Sequence, residues 1–163
     1  MVAAIIGVGA CGDRSPKVVQ DGDAMDRSRL FTLMPTSVTG VHFANRLRDT
    51  KEMNVFTYRN YYNGGGVALG DLTGDGLPEL VLSANEEGVR LYLNAGAFRF
   101  RDVTRTSGIR SPSVSWTTGV VFAEVNGDGR LDLYVGRAGA GSPEERGNQL
   151  WLNEGLDADS VPT

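Results

Sequence analysis

The chain has 163 residues, 40% of them hydrophobic, with 22 glycines and a formal net charge of −4. That length suits one domain of ordinary size. The acidic balance, with no basic patch interleaved with aromatics, argues against a nucleic-acid platform, and no run of 18 apolar residues is present to cross a membrane as a helix.

Residues 1–11 (MVAAIIGVGAC) are apolar and end at the only cysteine, Cys11. An apolar run closing on small residues has the form of a secretory signal. Val8-Gly9-Ala10-Cys11 looks like a bacterial lipobox, although no Lys or Arg precedes the run. On that reading Cys11 is lipidated and anchors the chain to a membrane, residues 12–29 form a flexible polar tether, and the protein is exported as a cell-envelope or outer-membrane lipoprotein, or is otherwise secreted. One lipidated cysteine also accounts for the lack of a second for a disulfide. A rival reading takes Gly7-Val8-Gly9-Ala10-Cys11-Gly12 as a G-x-G-x-x-G phosphate loop. That motif needs a helix to follow at once. Pro16 and the DGDAMD segment oppose one, and no parallel βαβ pattern comes after.

Residues 30–63 are expected to be an N-terminal β segment. Phe31-Thr32-Leu33, Val41-His42-Phe43 and the run from Asn54 to Tyr58 read as short strands. The aromatic cluster Phe56, Tyr58, Tyr61 and Tyr62 is expected to pack against the first repeat. His42, the only histidine, has no evident catalytic partner and reads as structural.

Two copies of one phrase follow. GVALGDLTGDGLPELVL runs from Gly66 to Leu82, and GVVFAEVNGDGRLDLYV from Gly119 to Val135, an offset of 53 residues. The match continues in LYLNAG from Leu91 and LWLNEG from Leu150, where the offset has grown to 59. Six residues are therefore inserted within the glycine-rich, charged stretch from Arg137 to Gln149, as befits a loop between strands. Around residues 67–69, 80–82, 91–93 and 98–103 the chain is apolar or alternating and bounded by turn residues, which predicts four strands. Residues 120–122, 131–135 and 150–152 repeat the first three. Repeats of this size with four antiparallel strands predict an all-β fold, a partial β-propeller. The first blade is expected at 64–104, and a second, incomplete blade at 105–163. The chain is thus expected to be a truncated N-terminal fragment, its remaining blades coming from a longer chain or a partner subunit, because propellers need several blades to close.

The phrase centres on an acidic loop. Counted from Asp71, position 3 is Thr73, position 5 Asp75, position 6 Gly76, position 7 Leu77 and position 9 Glu79. Counted from Glu124, the same positions hold Asn126, Asp128, Gly129, Arg130 and Asp132. Oxygen-bearing side chains at odd positions, with the backbone carbonyls of Leu77 and Arg130, supply the hard ligands that Ca²⁺ takes, and the glycine permits the sharp turn. An EF-hand is excluded, because it needs a bidentate Glu at position 12, where Leu82 and Val135 stand inside predicted strands. The plainer alternative is a pair of acidic turns, since Asp-Gly and Asn-Gly form turns without metal.

The loop between two strands resembles the calcium loop of FG-GAP or VCBS repeats, as in integrin-type propellers. With YRNYYNGGGVA from Tyr58, LYLNAG, FRFRDVT from Phe98 and WTTGV from Trp116, the chain is similar to the start of bacterial cartilage-acidic-protein-like (ASPIC/UnbV) proteins. The resemblance implies structural Ca²⁺ held by Asp71, Thr73, Asp75, Leu77 and Glu79, and by Glu124, Asn126, Asp128, Arg130 and Asp132. No motif for catalysis accompanies it: G-x-S-x-G, H-E-x-x-H and the P-loop are missing. The expected function is a non-catalytic, calcium-stabilised binding or adhesion module at the cell surface, with an extracellular protein or glycan as partner. The alternatives are the non-catalytic N-terminal part of a larger extracellular enzyme acting on polysaccharide, and a scaffold whose only ligands are neighbouring blades.

Overall fold

The computed structural model describes residues 30–110, 116–139 and 141–163. The expectations for Cys11, the signal and the tether lie outside these residues. Two units divide the chain, Met1–Pro35 and Thr36–Thr163. In the first, residues 30–35 carry no helix or strand.

The second unit is mostly β. A single helical turn, α1 (Thr36–Thr39), precedes an antiparallel four-stranded sheet of β1 (Val67–Gly70), β2 (Glu79–Ala84), β3 (Gly88–Asn94) and β4 (Phe100–Asp102), in that spatial order. A second antiparallel sheet follows, of β5 (Trp116–Ala123), β6 (Asp132–Ala138) and β7 (Gln149–Trp151). The inserted stretch between β6 and β7 holds a second helical turn, α2 (Pro143–Arg146), closed at its start by a Ser142–Glu145 capping box.

The expected short strands between residues 30 and 63 do not form. Residues 41–43 lack regular structure and residues 55–57 form a turn. The reason is local. Asn54 Oδ1 accepts from the backbone N–H groups of Phe56 and Thr57, and Thr57 Oγ1 accepts from Asn54 N. A side chain that bonds its own neighbouring backbone competes with a strand ladder and wins where no partner strand is at hand.

Alternation fixes which residues meet. Ala68, Val81 and Leu91 are cross-strand neighbours in one row of the first sheet. They form one core with Leu133 and Val135 of the second sheet, against which Val120, Phe122 and Trp151 also pack. The two sheets are thus stacked through one face of each, with β5 lying against β1, β2 and β3. The contact is close. A Cβ on Gly66 would stand 2.9 Å from Gly119 Cα and from Val120 N. Gly119 itself has open space at its Cβ position.

One polar and one aromatic feature join the N-terminal segment to the sheets. Asn85, fully buried in the β2–β3 turn, donates from Nδ2 to the carbonyls of Gly64 and Thr117 and exchanges hydrogen bonds with Asn45. Tyr61 is buried and stacks on Trp116 at 5.1 Å, and Tyr58 meets the same ring edge-on. The aromatic cluster therefore packs in part, with the ring contacts of Tyr58 and Tyr61 made to Trp116 of the second sheet. Phe56 and Tyr62 stay exposed.

Gly66→Ala is predicted to destabilise the chain by about 1–3 kcal/mol, because backbone rather than a movable side chain occupies the Cβ position. Gly119→Ala should have a far smaller effect. Urea unfolding of both variants checks the pair.

Candidate functional site

Both acidic loops occupy the same place, joining the first strand of a sheet to the second. Each turns on two glycines in the left-handed region: Gly74 (φ 79°) and Gly76 (84°) in the first, Gly127 (83°) and Gly129 (81°) in the second. An L side chain there costs roughly 1–2 kcal/mol. The glycine at position 4, adjacent to the sequence reading's Asp-Gly, is as necessary to the turn as the one at position 6.

In the first loop, Asp71 accepts from Gly74 N at 2.7 Å and from Gly76 N at 2.9 Å, with Thr73 Oγ1 at 3.5 Å. The Gly76 N–H, foremost among several backbone donors, lowers the Asp71 pKa below the usual carboxylate value. Asp75 is exposed and accepts from Leu77 N. In the second loop, Glu124 takes the N–H groups of Asn126 and Gly127. Asp128 accepts from Arg130 N through one oxygen, and through the other from Asn126 Nδ2 and the Arg130 guanidinium, the last at 2.7 Å. The N–H of Arg130 is the first cause of a lowered Asp128 pKa. Arg130 also donates from Nε to the Asn153 carbonyl. The second loop thus carries its own cation where the first has Leu77.

The acids at position 9 behave differently. Glu79 and Asp132 are both only 1% exposed. Glu79 Oε2 accepts from Leu72 N at 2.7 Å, and Oε1 from Asn94 N at 3.4 Å. Asp132 Oδ2 accepts from Val125 N at 3.0 Å, and Oδ1 from Asn153 N at 2.8 Å. Each carboxylate therefore spans from position 2 of its own loop to the last residue of the third strand (Asn94) or just beyond it (Asn153). Burial raises the Glu79 pKa against the lowering effect of its two N–H donors, and the charges of Asp75 and Asp71 add to the rise. Asn94 and Asn153 complete the arrangement by accepting from Gly96 N and Gly155 N. Asn153 Nδ2 reaches across to the Leu72 carbonyl in the first loop, whereas Asn94 Nδ2 donates to Pro78 within its own sheet.

The ten positions expected to bind metal are thus gathered into two like loops. The donors are hard oxygens, which suits Ca²⁺, but the side chains are turned onto backbone N–H groups. Among the described residues no three acidic, histidine or cysteine side chains converge as a ligand set. The bracing role of Glu79 and Asp132, and the two asparagines that finish it, were not foreseen. The signal was available in the Leu-x-Leu-Asn-x-Gly phrase shared by residues 91–96 and 150–155.

Comparison with known families finds an FG-GAP-like repeat at residues 71–135. The match begins at the first acid of the first loop and ends beyond the second loop, at Val135 in β6. No curated protein and no solved structure matches the chain.

Replacing Glu79 by Gln, or Asp132 by Asn, sets an NH₂ group against a backbone N–H in a buried place. Each should cost about 1–3 kcal/mol by chemical denaturation, and Asp75→Asn much less. The pH response follows from opposite shifts. The lowered Asp71 pKa gives stability that is present above the ordinary carboxylate value and is lost as pH falls through the folded value. The raised Glu79 pKa gives a contribution greatest below the ordinary value and lost as pH rises through the folded one. Asp71→Asn should lower stability at neutral pH and remove part of the decline below about pH 4, as thermal melts across pH would record.

Proposed function

We propose that the chain is a non-catalytic repeat module of an exported β-propeller, one that takes up Ca²⁺ at its acidic loops and serves binding or adhesion at the cell surface. The observation that carries this reading is the recurrence of the whole loop, with its two left-handed glycines and its buried acid, at the same junction of both sheets. An FG-GAP-like repeat across both loops supports it. The finer likeness to ASPIC/UnbV proteins rests on the segments from Tyr58, Leu91, Phe98 and Trp116 and belongs to the same proposal. So do export and a lipid anchor at Cys11, for which the support is the apolar leader and its VGAC ending. The proposed partners are further blades, in a longer chain or a partner subunit, and an extracellular protein or glycan. The net charge of −4 supports partners other than nucleic acid.

In the first loop Asp71, Thr73, Asp75, the Leu77 carbonyl and Glu79 would hold the ion. In the second, Glu124, Asn126, Asp128, the Arg130 carbonyl and Asp132 would do so. When bound, Ca²⁺ supplies charge neutralisation and cross-linking within the loop. The two loops are not equal candidates, because the Arg130 guanidinium already neutralises Asp128. The exposed Asp75 has no such counter-ion among the described residues.

Binding to the folded state alone adds RT ln(1 + [L]/Kd), about 2.7 kcal/mol at a hundredfold excess over Kd. The unfolding midpoint of the full chain is therefore expected to rise in Ca²⁺ relative to Mg²⁺ or EDTA. Asp75→Ala should remove more of the rise than Asp128→Ala, and Arg130→Leu should enlarge it. A midpoint indifferent to Ca²⁺ would reduce the loops to braced turns and remove calcium from the reading.

A further inference from the structure

Equivalent residues of the two repeats do not share one environment, and the differences follow a single rule. On one face of the first sheet, Ala68, Val81, Leu91 and Leu93 are at most 9% exposed, as is Leu72 in the adjoining loop. Their equivalents by the repeat are Val121, Tyr134, Leu150, Leu152 and Val125. All five are between 40 and 51% exposed. Three of them, Val121, Tyr134 and Leu150, are cross-strand neighbours in one row across the second sheet. The opposite faces show the reverse at their first strand only, since further across the first sheet Tyr92 is buried and its hydroxyl donates to the His42 carbonyl. Val120 and Phe122 of β5 pack on the core, whereas their equivalents in β1, Val67 and Leu69, are 61 and 63% exposed.

The stacking of the two sheets is therefore head-to-tail. The leading face of the first repeat, with Ala68, Val81 and Leu91, covers the trailing face of the second, with Val120 and Phe122. Among the described residues this leaves an exposed leading face on the second sheet and an exposed trailing edge at β1. The glycines repeat the pattern independently. The Cβ position of Gly66 is filled by the backbone of Gly119 and Val120, while that of Gly119 is open. Hydrogen bonding does so again: Asn153 of the second repeat donates to the Leu72 carbonyl of the first, whereas Asn94 donates within its own sheet.

We infer that a second copy of this chain docks head-to-tail, its β1 edge with Val67 and Leu69 lying on the row Val121–Tyr134–Leu150. The occupant is a second copy because this one chain carries both halves of an interface whose worked example lies within it. The residues that β5 uses against the first sheet are Val120 and Phe122, and their β1 equivalents are the ones left exposed. An interface made from two different patches propagates or closes into a ring, unlike a two-fold contact between identical patches. The inference rests on the repeat reading above.

The test uses the full chain in sedimentation velocity over a dilution series, beside Leu150→Lys and Leu69→Lys. Both substitutions fall on exposed side chains of opposite faces, and circular dichroism checks that each variant is folded. The wild type is expected to sediment above monomer mass, increasingly so with concentration. Each variant alone should be monomeric. Their equimolar mixture should form a 1:1 dimer and nothing larger, because one intact leading face meets one intact trailing face. A folded wild type that stays monomeric, or association that survives both substitutions, overturns the self-docking. A folded monomer leaves the repeat reading standing, with the free face left to a further repeat. A wild type without cooperative unfolding overturns both.

Discussion

A carboxylate removed from water must be satisfied by hydrogen bonds or a counter-charge, or the fold bears a cost of several kcal/mol. Glu79 and Asp132 meet that demand in the same way, each accepting from two backbone N–H groups that belong to separate parts of the chain. This constraint shapes each repeat. It holds position 2 of the loop against the end of the third strand, so the loop cannot open without orphaning a buried acid and two donors together. It also places the bracing acid at the first residue of its strand, β2 or β6, where the loop hands over to the sheet. The acids at positions 1 and 5, half-buried at Asp71 and exposed at Asp75, Glu124 and Asp128, then curl over the turn and accept from its N–H groups.

Seven strands were legible from apolar runs and turn residues, because alternation and glycine punctuation are direct consequences of a sheet with one buried face. The fourth strand is shorter than its pattern. Ala97 and Phe98 adopt positive φ and complete a turn, so pairing starts only at Phe100. What periodicity could not show was the competition between side chain and ladder around Asn54, which replaced an expected strand by turns. The loops were legible as oxygen-rich and glycine-hinged. The division of labour inside them was not, since a position-9 acid reads alike whether it faces an ion or a backbone N–H. Only the placement of the residue 72 or 125 backbone N–H beside the carboxylate decides. The Asn85 junction had no sequence signal beyond an asparagine in a turn.

Two near-identical phrases give one apolar row that is buried and one that is open. The cause is position in the stack and not chemistry: Leu91 and Leu150 are the same residue type on the same strand of the repeat. A unit of this kind carries an apolar surface on both faces and leans on its neighbours to cover them. Two stacked sheets therefore satisfy one interface and leave exposed, among the described residues, the row Val121–Tyr134–Leu150 at one end and Val67 and Leu69 of β1 at the other. The self-docking inferred above follows from that geometry, with the acidic loops setting the local shape of each unit.

The most direct measurement of this account is amide hydrogen exchange at Leu72 and Val125 in the folded chain. Leu72 is buried and Val125 is half exposed, so simple burial predicts that they differ widely. The carboxylate bracket predicts that both are protected, with opening free energies like that of the core amide of Val81. Exchange of either amide at the rate of an unbonded loop glycine would contradict it, and with it the claim that a buried acid closes each repeat.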